Sequence, residues 1–550
     1  MYKIGLIQPK SPETFWNLSG ALEFTNKKAH IPPLGLATVA ALTPPEFDIE
    51  IIDESIEEIP FDNKYDIVGI TGYYFHAKRM FEISAEFRKR GILTVGGGPF
   101  CSGNLDEVAP FFDVLVCGEA EKVWPEFLFD WKEGNYNKYY VENERLDLSI
   151  SPSPRWDLVK MEHYTIGIVQ TSRGCPYDCE FCDVVSLFGR GNRYKPVKSI
   201  LNEIHTLKSM GKWEIMLADD NFIGQREYSK TILKELIAVN KTWKQPIRYF
   251  TQLTLDVAKD LELLDLLKQA NFYMVFIGIE SPREETLIFT DKAHNIRMEM
   301  KEAIRRIQSR GIMIFGGMIV GFDTDDSNIF KLQRDFLLET GITVASLGML
   351  EAYKGTKLWE RLEREGRLIS SPIEHDYLTT ASQNFIPRSM TPEELRKGYI
   401  SLLKEVYSDS HFLNRFQRLI DQIDLNAVKK ESSLARYMEL RASNFEIYFN
   451  TLRLVLYFIF NRDKTTRRLF LSALRIGLKK GLICFPLTII VLFLYKSTKE
   501  FIKNNFPHNS MELRIKNQKG HHSKSERRKQ SQAKSRLHLV SVNGKIIPNR

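Results

Sequence analysis

Three of the chain's six cysteines, Cys175, Cys179 and Cys182, lie within eight residues of the stretch TSRGCPYDCEFCD, at spacings of four and then three. Three thiols on one short loop suit a metal ion or an iron–sulfur cluster. A closed structural zinc site takes four ligands. Neither a second cysteine pair nor a histidine pair stands close to this loop. An iron–sulfur cubane held by three thiolates leaves one iron open, and a small molecule can ligate it. Zinc with a distant fourth ligand, and simple buried thiols, are the competing readings from the residues alone. Cys101, Cys117 and Cys484 are scattered, which is not a disulfide framework. The opening MYKIGLIQPK reads as a first strand rather than a secretory leader. A cytoplasmic protein is therefore expected.

Such a loop needs rigid elements around it. A β-branched apolar run, YTIGIVQTS (164–172), leads directly into it. Further runs follow at WEIMLADDN, IRYFTQLTL, YMVFIGIES, IMIFGGMIVG and TVASLGMLEA, with helical-period segments such as RMEMKEAIRRIQSRG between them. Strands alternating with helices predict a parallel array. Six such units predict a partial (β/α)6 barrel rather than a full eight-fold one, and barrel chemistry sits at the C-terminal ends of the strands. The cysteines follow the first strand. Asp219, Asp220 and Asn221 end the second, Glu280 ends the fourth, and Gly316 and Gly317 lie on the fifth. Asp219 and Asp220 could equally cap the helix that follows.

Ahead of this array, KIGLIQP, FDIEIID, DIVGITG, ILTVGGG and VLVCGE are five short apolar runs with helical segments between them. They predict a doubly wound α/β domain, whose ligands bind beyond the strand C-termini. The loops at that edge are Thr71-Gly72-Tyr73, Gly96-Gly97-Gly98-Pro99 and Gly118-Glu119.

The cysteine spacing, with Phe181 before the last thiol, resembles the radical S-adenosylmethionine signature. The resemblance implies a [4Fe-4S] cluster on Cys175, Cys179 and Cys182, with S-adenosylmethionine on the open iron and a 5′-deoxyadenosyl radical as the reagent. It implies cofactor contacts for Phe181, for Asp219 at the methionine amine, for Glu280 at the ribose, and for Gly316 and Gly317 at the adenine. The segment ADDNF departs from the Gly-Gly-Glu type that the superfamily usually carries there. The N-terminal domain is similar to cobalamin-binding domains. That likeness places Thr71, Gly72, Gly96, Gly97, Gly98, Gly118 and Glu119 around the nucleotide tail. The Asp-x-His-x-x-Gly motif of histidine-ligated cobalamin domains is absent; His30 and His76, the nearest candidates, lack its Asp and Gly.

The stretches SRGCPYDCEFCDVVSLFGR, ADDNFIG, VFIGIESP, GGMIVGFD and YKGTKLWERLEREGRL resemble the hopanoid C-2 methylase group across residues 1 to 480. The resemblance implies methylation of an unactivated carbon of a hydrophobic small molecule through methylcobalamin. The electron donor would be of the flavodoxin or ferredoxin kind. An oxidative cyclase acting on a tetrapyrrole is the alternative of the same build. A methylthiotransferase for tRNA or protein would need three further N-terminal cysteines, and only Cys101 and Cys117 are there. With no recognisable nucleic-acid module, no nucleic-acid partner is expected.

The segments divide as a cobalamin-binding-like domain at 1–140, a radical core at 160–370, a helical region at 371–495 and a basic tail at 496–550. TPEEL, with Thr391 as cap, Pro392 at the first position and Glu394 as its partner, predicts a helix start. GLICFPLTIIVLFLY (481–495) is too short to span a bilayer, for which about 20 apolar residues are needed. It predicts a buried or interfacial helix. The tail has 14 Lys/Arg against 3 Asp/Glu, while the whole chain carries only +8. The basic excess thus belongs to the tail, for which a solvated, disordered segment is the first expectation and peripheral contact with an anionic membrane through 481–550 the second.

Overall fold

The apolar runs named above pair as two parallel sheets in the computed structural model, which describes residues 2–14, 17, 19–371, 373, 383–425, 445–481 and 484–506. The first sheet holds β1 (Tyr2–Gln8), β2 (Phe47–Asp53), β3 (Ile67–Thr71), β4 (Leu93–Gly97), β5 (Val114–Cys117) and β6 (Tyr139–Val141), in the order β2-β1-β3-β4-β5-β6. The order reverses between β1 and β3, which makes that edge the switch point where doubly wound folds take ligands. Five of these strands are the expected ones. The sixth, β6, pairs with β5 through Leu115 and Tyr139 and has no counterpart in the sequence reading.

The second sheet holds β7 (Gly167–Val169), β10 (Glu214–Leu217), β11 (Arg248–Gln252), β12 (Phe272–Glu280), β13 (Met313–Val320) and β14 (Val344–Met349). Its order, β14-β13-β12-β11-β10-β7, runs without closure from the last strand to the first, as a six-stranded partial barrel does. Between β7 and β10 a small antiparallel pair, β8 (Ser172–Arg173) and β9 (Arg193–Tyr194), brackets the cysteine loop.

Side chains alternate across the barrel strands. Ile215, Leu217 and Tyr249 are fully buried on one face. Met216 and Phe250, one residue along, face a cavity of about 210 Å³ on the other, which Phe276 and Phe315 also line. Leu454 of the helix Phe445–Phe460 and Phe493 of the helix Phe485–Asn505 close it, together with residues 22–31.

The helix start at Thr391 is as expected: Thr391 Oγ1 accepts from Glu394 N at 3.2 Å, and the Glu394 carboxylate accepts in return from Thr391 N at 2.8 Å. For the stretch 481–495 the structure takes the buried of the two expected placements. Val491 and Leu492 are fully buried and Ile489, Leu494 and Tyr495 nearly so, so its apolar groups are spent on the protein's own core. The helix also runs past the expected boundary to Asn505, and Lys496 is buried and paired with Glu23 rather than solvated. No helix among the described residues is long and apolar enough to cross a membrane. The tail from 507 onward lies outside the described residues. The described residues up to Phe501 form one compact unit, and Ile502–Phe506 belong to a second.

Candidate functional site

The cysteine loop is fastened at both ends and in its middle. Asp219, at the end of β10, accepts from Thr171 N at 2.8 Å, Thr171 Oγ1 at 2.5 Å and Ser172 N at 2.7 Å. Its neighbour Asp220 accepts from Gly174 N at 2.8 Å. Burial pushes both carboxyls up to about 6. Gly174 has φ +91°, and a Cβ there would sit 2.3 Å from the Gly191 carbonyl oxygen, so only glycine makes this turn. The return strand is tied by Gly191 N to Cys175 O at 2.8 Å and by Asn192 Nδ2 to Gly174 O at 2.8 Å.

Further along, Glu180 N donates to Thr290 O at 3.0 Å, and Glu180 O accepts from Leu358 N at 2.9 Å. Phe181 packs edge-on to Phe322 at 5.6 Å, beyond the end of β13. The loop therefore reaches from the first barrel strand to the far rim, and its thiols lie over the C-terminal ends of the strands.

The donor set fits a cluster. All three cysteines are free, with Cys179 buried and Cys175 and Cys182 partly so. Burial pushes each thiol up, and for each of them Lys292 is the neighbouring cation that pulls the other way. Burial also opposes the charge of Lys292. The Glu280 carboxylate, accepting from Lys292 Nζ at 2.7 Å, and the thiols at Cys179 and Cys182 outweigh it, so the ammonium is held above its ordinary range. Among the described residues no group of three His, Cys, Asp or Glu side chains converges as one metal ion would require. A cubane asks for a wider triangle, because each thiolate takes its own iron.

Glu280 is thus paired, and it stands at φ +67°, a strained conformation for a residue with a side chain. Gly317 faces the barrel interior, where a Cβ would meet the Phe276 ring at 2.7 Å; Gly316 faces the other way, toward Ile342.

At the edge of the first sheet, Thr71, Gly72, Gly97, Gly98 and Gly118 come together, as the loops after β3, β4 and β5. Gly98 and Gly118 have φ near +84° and +82°, and a Cβ on them would strike Thr71 Oγ1 at 2.1 Å and the Glu142 carbonyl at 2.4 Å. Gly96 is glycine for a different reason: its missing side chain leaves room for the Phe112 ring, 2.7 Å from where a Cβ would be. His76 is buried, accepts from Tyr73 N at 3.0 Å and bonds Ser11 Oγ at 2.9 Å; burial lowers its pKa to about 4. His30 bonds Thr165 and lines the barrel cavity. The edge therefore offers glycine loops and an exposed Tyr73, but no imidazole from either candidate.

Glu119 is turned away from that edge's solvent. It accepts from Arg193 Nη1 at 2.8 Å and pairs with Arg173 at 3.3 Å, while Glu121 pairs with Arg173 at 2.7 Å. This network of two buried carboxylates and two part-buried guanidinium groups, which the sequence reading did not contain, binds the N-terminal sheet to the two strands that bracket the cysteine loop. Tyr74 packs on Tyr353 at 4.6 Å and Glu107 pairs with Lys354 on the barrel's far rim. The C-terminal edges of the two parallel sheets consequently face each other.

The sequence matches the radical SAM superfamily over residues 169–335 and a domain of unknown function, DUF4070, over residues 356–504. It is 34% identical to an uncharacterized methyltransferase of Synechocystis sp., over 80% of this chain and 82% of that protein. It is 30% identical to the hopanoid C-2 methylase of Rhodopseudomonas palustris, over 69% of this chain and 75% of that one. The chain belongs to the radical S-adenosylmethionine methyltransferases. The superfamily's cluster and cosubstrate, [4Fe-4S] and S-adenosylmethionine, are those that the three-thiol loop fits. The structure of the radical S-adenosylmethionine methyltransferase TsrM from Kitasatospora setae, with cobalamin and a [4Fe-4S] cluster bound, has the same fold, with a TM-score of 0.58 at 17% identity over 81% of this chain and 99% of that one.

Proposed function

We propose that this methyltransferase transfers a methyl group to an unactivated carbon of a hydrophobic small molecule, with its two cofactors held on the two facing sheet edges. That opposition of edges is the observation that carries the reading. Cys175, Cys179 and Cys182 would hold the cluster, and the loops at Thr71–Gly72, Gly96–Gly98 and Gly118 would hold cobalamin. Bound there, these groups and S-adenosylmethionine supply a carbon-centred radical and a transferable methyl group. The protein's share is positioning and exclusion of water.

Asp219 and Asp220 fix the backbone that enters the cysteine loop. Lys292 brings a buried positive charge to the three thiolates, and Glu280 orients it. The Arg173–Arg193–Glu119–Glu121 network keeps the two edges in one register, so that the reacting groups stay at a fixed separation. The apolar barrel cavity supports a hydrophobic acceptor. At about 210 Å³ it is smaller than pockets that enclose a whole ligand, commonly about 300–1,000 Å³. It suits the apolar end of a molecule whose reacting carbon lies above it.

The test is anaerobic reconstitution with methyl-labelled S-adenosylmethionine, a low-potential reductant and extracted lipids, followed by mass spectrometry. Label in a lipid product, lost in Cys179→Ala, is the expected result. Cleavage of the cosubstrate with a product that loses hydrogen and gains no methyl would replace this reading with the cyclase one.

A further inference from the structure

We infer that the helical hairpin formed by Phe445–Phe460 and Lys464–Leu478 is a docking surface for an anionic lipid bilayer. The two helices pack on each other, and each carries one exposed stripe. On the first, Arg453, Leu456 and Phe460 recur at spacings of three and four; Leu456 is 41% and Phe460 74% exposed. On the second, Lys464, Arg468, Leu471, Arg475 and Leu478 do the same, with Leu471 57% exposed. Buried residues such as Leu454, Phe458, Leu469 and Ala473 occupy the opposite faces. The hairpin carries six large exposed apolar side chains: Phe449, Leu456, Ile459, Phe460, Leu471 and Leu478. Elsewhere in the described residues they come singly or in small groups such as Ile288–Phe289, which needs no explanation. Here they gather on one element, which does.

The charges say what covers them. Residues 445–480 contain eight Lys/Arg and two acids, Glu446 and Asp463. Asp463 is engaged in capping, accepting from Thr465 N at 3.0 Å and Thr466 N at 3.1 Å. Arg453, Arg462, Lys464, Arg468 and Arg475 are exposed and make no ion pair with any described residue. Apolar side chains interleaved with unpaired cations fit the headgroup region of an anionic bilayer, where the rings and leucines enter the acyl boundary and the cations meet phosphates. A second copy of this chain would bring the same charges face to face. The segments outside the description are no better matched: 426–444 holds four Lys/Arg against two acids, and 507–550 eleven against two. The face of the first helix turned inward, at Asn450, Thr451 and Leu454, lines the barrel cavity, so one helix thickness separates that cavity from the surface.

The inference does not depend on the methylation reading, because its test uses neither substrate nor reductant. The full chain is sedimented with vesicles of phosphatidylcholine alone and of phosphatidylcholine mixed with phosphatidylglycerol. Wild type should partition to the mixed vesicles, less so at high salt. Arg453→Glu/Arg468→Glu/Arg475→Glu should weaken that partition by at least about tenfold. Leu456→Ser/Phe460→Ser/Leu471→Ser should abolish what binding remains at high salt. All six positions are exposed, so thermal unfolding should match the parent; if charge reversal disturbs it, the corresponding Gln triple carries the test. Wild type that stays unbound overturns the inference. So does binding unchanged in both triples, which would assign attachment to another segment. A chain that self-associates without binding vesicles, and that the Ser triple disperses, would assign the face to a second copy.

Discussion

Single residues set the entry to the cysteine loop. Gly174 takes a left-handed turn that costs any other residue about 1–2 kcal/mol, and its missing Cβ leaves room for the Gly191 carbonyl. Gly174→Ala should therefore lower the unfolding free energy by about 2 kcal/mol or more, and the reconstituted protein should hold less iron per chain. An unchanged iron content would mean that the loop adapts. Asp325 gives a second residue-scale expectation. Its Oδ2 accepts from Gly321 N at 2.9 Å and Phe322 N at 3.1 Å, yet burial, the larger effect, raises its pKa to about 6. A carboxyl raised on folding binds protons more readily in the native state. Its contribution is complete below its unfolded value near 3.8 and is lost as pH rises through about 6. In urea melts, the stability difference between wild type and Asp325→Asn should shift against wild type from pH 4 to 6 and level off above. A difference that is flat over that range would contradict the assignment.

Among elements, the β8–β9 pair deserves the closest test, because it joins the cysteine loop to the other domain. Removing one partner of a buried ion pair strands the other and costs about 3–5 kcal/mol. Glu119→Ala and Arg193→Ala should each destabilise strongly and should speed proteolysis between residues 142 and 160. The double variant should cost clearly less than the two together; strict additivity would deny the coupling. The sequence made the barrel legible because most of its strands are near-continuous apolar runs, as in parallel strands covered on both faces, β11 with its sequence RYFTQ being the exception. It hid β6, three residues (YYV) behind the polar GNYNK, where only pairing with β5 makes a strand. It also hid the network, since Glu119 and Arg193 stand 74 positions apart. Strand-end position made Asp219 a cofactor candidate from sequence. Position cannot tell a carboxylate aimed at a ligand from one turned back to the N–H groups of Thr171 and Ser172, which is where the structure puts it.

At the scale of the whole molecule, the barrel's open side is closed by helices from the far end of the chain, and the apolar lumen behind them is the part most sensitive to volume. Leu454→Trp should fill it. Cleavage of S-adenosylmethionine without substrate should persist while methyl transfer to a hydrophobic acceptor falls at least about tenfold, since overfilled apolar sites repack at a cost of about 1–3 kcal/mol. Retained transfer would place the acceptor elsewhere. The closure has a consequence for synthesis. Phe24 packs 6.5 Å from Phe493, and Lys496 pairs with Glu23 across 473 positions. Residues 22–31 emerge from the ribosome long before their partners exist. Between synthesis of the last barrel strand, which ends at Met349, and of the helix Phe485–Asn505, the inner face of the barrel is wet and reachable, and contacts of such separation form late. A cluster delivered during that interval meets an unsealed protein; one delivered afterwards must enter by the rim.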